Sequence, residues 1–160
     1  SIENNEALFN SVDHSAILNP NGTPLTYNNY MKVTGVASVR CVSSGTNVTV
    51  NMQNLIPKGI YTIWIQTFSP EFNGTLENMI GFGAVDGHNN FRASAGGSGQ
   101  LSVTIPAGYL SMWGSIGDCL ISAGQDFHIV GIYQSNGQTY GWTPGREGLF
   151  VEQFRFAFRK

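Results

Sequence analysis

The stretch Asp126-Phe127-His128-Ile129-Val130-Gly131-Ile132-Tyr133 decides how this chain folds. From Phe127 to Tyr133 every residue except His128 and Gly131 is apolar or aromatic, and three of them are Ile or Val. A surface helix would interrupt such a run with polar residues at each turn. Branched and aromatic side chains without alternation instead suit a strand covered on both faces, and we read it as a strand in the middle of a sheet. The charge-poor run Cys119 to Ser122 leads towards it.

Downstream, Ser135-Asn136-Gly137 is a hairpin turn signal, and Gln138 to Trp142 reads as a strand returning against the first. Thr143 to Gly148 is a second loop, followed by a last strand over Leu149 to Phe158. There Phe150, Phe154, Phe156 and Phe158 share one parity and form a wall of the core. Glu152 interrupts that row, so it needs a partner or a bend in the sheet.

Upstream, Met31 to Val42 places Val33, Gly35, Ala37, Val39 and Cys41 on one parity. Asn47 to Leu55 alternates in the same way, and Ile60 to Phe68 follows after the Pro57-Lys58-Gly59 turn. With linkers of about four residues the three runs read as a meander. Ser69 to Glu77 reads as a loop, Met79 to Val85 and Phe91 to Ala95 as short strands, and Leu101 to Ile105 as a clean alternating one. Tyr109 to Gly117 fits either a loop over one end of the core or a broken strand.

Residues 1–30 are the least regular and read as an arm with a turn at Asn19-Pro20-Asn21-Gly22. Such an arm either folds back as an edge strand of its own domain or pairs with a neighbour's open edge. The expected fold is all-β. It is an antiparallel two-sheet β-sandwich of nine or ten strands, jelly-roll or immunoglobulin-like, in one domain over residues 31–160.

Only 11% of the 160 residues are charged, with a net charge of -2. Nucleic-acid binding needs clustered cations, and the one close group is Arg155, Arg159 and Lys160 at the end of the chain. No apolar run is long enough for a transmembrane helix. The chain opens at Ser1 and shows no signal peptide, which is compatible with a mature secreted product or with a trimmed chain. A surface of Asn, Ser, Thr and Gln packs against copies of itself with little desolvation of charge. The leading expectation is therefore an extracellular or cell-surface structural protein that self-associates into a filament or surface layer, with the arm as a candidate exchanged strand.

Cys41 and Cys119 are the two cysteines, one ending a candidate strand and the other beginning another, and a disulfide between them is expected. N-x-[ST] sequons stand at Asn21, Asn47 and Asn73. For metals, Asp126 and His128 share a strand face, and Asp86 or His88 would complete a copper or zinc site. Calcium would suit the oxygen-rich turn Asp86-Gly87-His88-Asn89-Asn90 better, although no regular calcium loop is present. No cofactor is required by any motif. A glycan partner is the alternative to self-association: Trp142, Tyr140 and Trp113 offer flat amphipathic surfaces for sugar rings. There is no G-x-S-x-G elbow and no Gly-rich loop followed by Lys, so no enzyme is expected.

Overall fold

The computed structural model describes residues 5–69, 74–81, 88–112 and 119–159. In chain order the strands are β1 (Thr34–Val42), β2 (Gly45–Gln53), β3 (Ile60–Ser69), β4 (Thr75–Ile80), β5 (Asn90–Arg92), β6 (Gly99–Pro106), β7 (Phe127–Gln134) and β8 (Phe150–Phe158). Two short helices, α1 (Tyr27–Met31) and α2 (Ala107–Ser111), stand outside the sheets. The chain is all-β, with two antiparallel sheets packed as a sandwich. One sheet has the order β1-β2-β6; the other has the order β4-β3-β7-β8, with β5 beside the far end of β3.

Every residue of β7 is buried except His128, which is half-buried. Its neighbours are β3 and β8, not residues 138–142. A strand apolar on both faces is best satisfied between two long partners, and Gln138 to Trp142 supplies too few apolar residues to be one. That segment forms only an isolated bridge, Tyr140 to Thr143, in a loop with left-handed glycines at Gly141 and Gly145. The expected hairpin is thus corrected, and so is the expected meander. β2 pairs with β1 and β6, while β3 crosses to the other sheet, because β2 presents a polar face and β3 is buried on both.

The crossing is made by Leu55 and Ile56, both buried, and by a turn closed by Gly59 N–H to the Ile56 carbonyl at 2.9 Å. Pro57 and Lys58 are its central residues. Lys58 has φ 60°, the left-handed conformation for which glycine is the usual residue at this place in a type II turn. A side chain there costs about 1–2 kcal/mol.

Eight strands stand among the described residues, against nine or ten expected. The remaining differences are local. Residues 75–77, expected in a loop, begin β4; Cys119 to Ser122 ends in a 3-10 turn, not a strand; the strand expected over 91–95 is shorter.

Between the sheets lies the main core, with Val48, Val50, Met52, Tyr61, Ile63, Ile65, Ile105, Ile129 and Tyr133 almost fully buried. Gly131 is glycine because the Phe154 ring occupies its inner side: a Cβ there would fall 2.0 Å from that ring. Directly across, the pairing of β7 with β8 shifts between Gly131 and Ile132, so Gln153 is an extra residue in a bulge. The bulge splits the expected wall of phenylalanines. Phe154, Phe156 and Phe158 pack on the main core, but Phe150 joins a second cluster with Trp64, Val130, Ile132 and Met79 on the opposite face.

That second face explains why the opening stretch does not alternate. Trp64 donates from Nε1 to Thr62 Oγ1 at 2.8 Å, and Gln134 Nε2 donates to Thr62 Oγ1 at 3.1 Å and to the Pro144 carbonyl at 3.0 Å. A Cβ at Gly81 would fall 2.3 Å from the Trp64 ring. The face is therefore covered by the chain at Gly81 and by the loop after β7.

Cys41 and Cys119 are bonded, with Cα atoms 5.8 Å apart and a sequence separation of 78. The bridge ties the end of β1 in one sheet to the lead-in of β7 in the other. The arm folds back on its own chain. Leu8 N–H donates to Leu25 O, Ile17 N–H to Leu8 O and Leu25 N–H to Ile17 O, at 2.8, 2.8 and 2.7 Å. Ile17 and Leu25 are buried, Tyr30 Oη donates to the Glu152 carbonyl, and Gln153 Nε2 donates to the Tyr30 carbonyl at 3.0 Å. The arm thus closes on itself through single bridges, without forming a strand, and docks on the β8 bulge through Tyr30.

Candidate functional site

β1 is where the sheet is left open. A two-residue turn, Ser43-Ser44, joins it to β2 in unbroken register from Val42 opposite Gly45 to Thr34 opposite Gln53. Among the described residues no strand lies on its other side. None of its nine residues is buried, and Val36 is 67% exposed. The usual protections of an edge are proline, bulges and several charges. β1 carries only Arg40 and has neither proline nor bulge. In a hairpin with a two-residue turn the closing pair is hydrogen-bonded, so even-numbered residues of β1 bond to β2. The backbone groups of Gly35, Ala37 and Val39 therefore point out of the sheet.

His128 lies on the covered face of the larger sheet, towards its open end. Arg155 Nη1 donates to His128 Nδ1 at 2.5 Å and to Gln66 Oε1 at 2.8 Å. The same guanidinium pairs with Glu152, Nη2 to Oε1 at 2.5 Å and Nε to Oε2 at 3.3 Å. Glu152, the interruption in the phenylalanine row, thus has both a partner and a bend. The Phe68 ring lies against His128 with centroids 4.5 Å apart. Burial first, then Arg155 and Arg159, hold the imidazole below the ordinary histidine value, while Asp126 and Glu152 pull weakly the other way. Nδ1 accepts, so the ring proton is on Nε2.

This arrangement has a pH consequence. With its folded pKa depressed, His128 binds fewer protons in the folded chain than in the unfolded one just below pH 6.5. Its contribution is present above the unfolded value and is lost as pH falls through the folded one. Urea midpoints between pH 7.5 and 5 should fall more steeply for the parent than for His128→Gln. Equal slopes would show that folding does not depress the proton affinity of the histidine.

The remaining sequence candidates are scattered. A guanidinium already occupies the Nδ1 lone pair of His128, and among the described residues no three His, Cys, Asp or Glu side chains converge. Asp86 lies outside the described residues, as do Trp113 and Asn73. Asn89, proposed for calcium, donates from its amide to the Ile63 carbonyl at 3.2 Å and so secures the edge of β3. Trp142 is 58% exposed and stacks on Tyr109 of α2, centroids 6.2 Å apart and planes at 13°. Tyr140 accepts from the Asn136 amide and packs beside Gly145. Asn21 is exposed in its turn, accepting from Thr23 N–H at 3.1 Å, whereas Asn47 lies on central strand β2 with its amide donating to Thr104 Oγ1 at 3.3 Å. Asn21 is thus the more accessible of these two sequons.

Reading the sequence missed Gln66, Arg155 and Tyr109 as partners of the sites it named. The first two follow once β3, β7 and β8 are set side by side, because Gln66 pairs with His128 and Arg155 with the adjacent Val130. Nothing in the sequence pairs Tyr109 with Trp142. No protein-family model matches the chain, and no curated protein sequence is significantly similar to it.

Proposed function

We propose that the protein is an extracellular structural subunit that associates with copies of itself through the edge of β1. The open nine-residue edge carries this reading. Two copies of β1 laid antiparallel about Ser38 set Val36 opposite Arg40 and Ala37 opposite Val39. The stem of Arg40 then covers the exposed Val36, and no like charges stand opposite each other. Such a pair joins two three-stranded sheets into one of six strands. A filament needs a second surface. The arm supplies one, with Phe9 61% exposed and Val12 and Tyr27 also exposed. Exchange of the arm itself would break its hydrogen bonds to β8, whereas pairing at β1 breaks none.

Ala37→Pro tests the reading, since it removes an outward N–H and leaves the bonds to β2 in place. Light scattering after size exclusion should find the parent associated and the variant monomeric, melting within a few degrees of the parent. A parent that stays monomeric at high concentration, or an Ala37→Pro variant of unchanged mass, refutes it.

A second reading, glycan binding, rests on Trp142, whose exposed indole is backed by Tyr109 and so held as a platform for a sugar ring.

A further inference from the structure

At the end of the sandwich where the arm meets β3, β5 and β7, a cleft of about 310 Å³ is lined by Asn19, Lys58, Arg92, Tyr133 and Asn136, among others. Two of the eight Lys and Arg residues of the protein line it, and among the described residues no acidic residue does. Arg92 Nη1 donates to the Lys58 carbonyl at 3.1 Å, which fixes the guanidinium beside the lysine. Among the described residues neither cation has a carboxylate partner.

The backbone at Lys58 is a second and independent observation. Its φ of 60° is a conformation in which glycine is the better residue, yet the chain carries a lysine there, in the lining of the cleft. Residues held in such conformations cluster where a side chain has a use.

Arg92 also lines an adjoining groove of about 410 Å³, with Asn51, Gln53, Ser94, Ser98 and Gln100. Those amides and hydroxyls can both donate and accept, as sugar hydroxyls require, while the first cleft offers charged donors. We infer that the two together bind an acidic polysaccharide, with one sugar carboxylate at Lys58 and Arg92 and neighbouring hydroxyls in the groove on the other side of Arg92. The planar guanidinium suits a carboxylate, and the shared residue sets the two subsites next to each other. This site is separate from the β1 edge and does not depend on Trp142.

Calorimetric titration with a galacturonate hexamer, its methyl ester and inorganic phosphate tests the inference. The acid should bind, with affinity falling as salt is raised, and the ester should bind at least ten-fold more weakly. Lys58→Gly, which the left-handed backbone accepts, should melt within a few degrees of the parent and lose about ten-fold in affinity. Arg92→Gln should lose more, because it serves both subsites, and Lys32→Gln after α1 should bind as the parent does. Equal binding of acid and ester, parental affinity in Lys58→Gly, or binding of phosphate alone would each overturn the inference. Binding that survives Lys58→Gly and disappears in Trp142→Ala would place the saccharide on the loop after β7 and overturn it too.

Discussion

Replacing Cys41 and Cys119 together by alanine should lower the stability by about 4.5 kcal/mol, the chain-entropy estimate for a cross-link spanning 78 residues. For a domain of this size that is a fall of roughly 10–15 °C in melting temperature. The bridge acts chiefly on the unfolded chain, whose ends it holds together across almost half the sequence. In the folded chain it joins the two sheets at the end of β1, where the rest of the strand has no buried residue to hold it. Loss of the bridge should therefore also loosen β1, and amide exchange along Thr34–Val42 should quicken more than in β7. Urea unfolding of the parent with and without reductant, beside the double variant, checks the magnitude. A loss under about 1 kcal/mol would mean that the unfolded chain is already compact enough to make the cross-link redundant.

Trp64→Ala should cost about 3–5 kcal/mol, the range for deleting a buried aromatic. In a sandwich with one wet face per sheet, alanine at an outward position of a strand costs a few tenths of a kcal/mol. Trp64 is on such an outward position and is nevertheless fully buried, packed on Val130 and Ile132 and approached by Gly81. Its removal takes the floor from under the covering chain and leaves Thr62 Oγ1 without the indole donor. Trp64→Phe should retain part of the packing and lose the hydrogen bond. The measurement is a denaturant midpoint for each variant together with amide exchange in residues 135–149. A cost below 1 kcal/mol for Trp64→Ala would show the covering loop to be loosely held.

Both predictions turn on features that were legible to different degrees. The unbroken apolar run of β7 announces a strand covered on two sides, and its burial follows that pattern residue by residue, His128 included. The pairing of the cysteines was legible from their positions at strand ends. The edge of β1 was half legible. Its alternation shows one inward face, but an edge strand and a central strand of a three-stranded sheet alternate alike. Among the candidate sites, Asp126 and His128 could be set on one strand face from parity alone, whereas the cation that occupies His128 comes from a strand 27 residues away. Lys58 and Arg92 are 34 residues apart and meet only because β5 pairs with the start of β3.

The sequence by itself determined that this chain is an all-β sandwich, that residues 127–133 form a core strand, and that two cysteines close a long loop. Those features are local patterns of side-chain polarity, and polarity decides which face of a strand leaves water. Which strands become neighbours is a different kind of question. β3 could have stayed beside β2, and residues 138–142 could have paired with β7, without any change in alternation. Only the tertiary structure decided these, because the choice depends on which arrangement covers both faces of β3 and β7 at once. The phenylalanine row divided for the same reason: one extra residue at the bulge, set by the Phe154 ring lying on Gly131, turns Phe150 and Glu152 to the other side of the sheet.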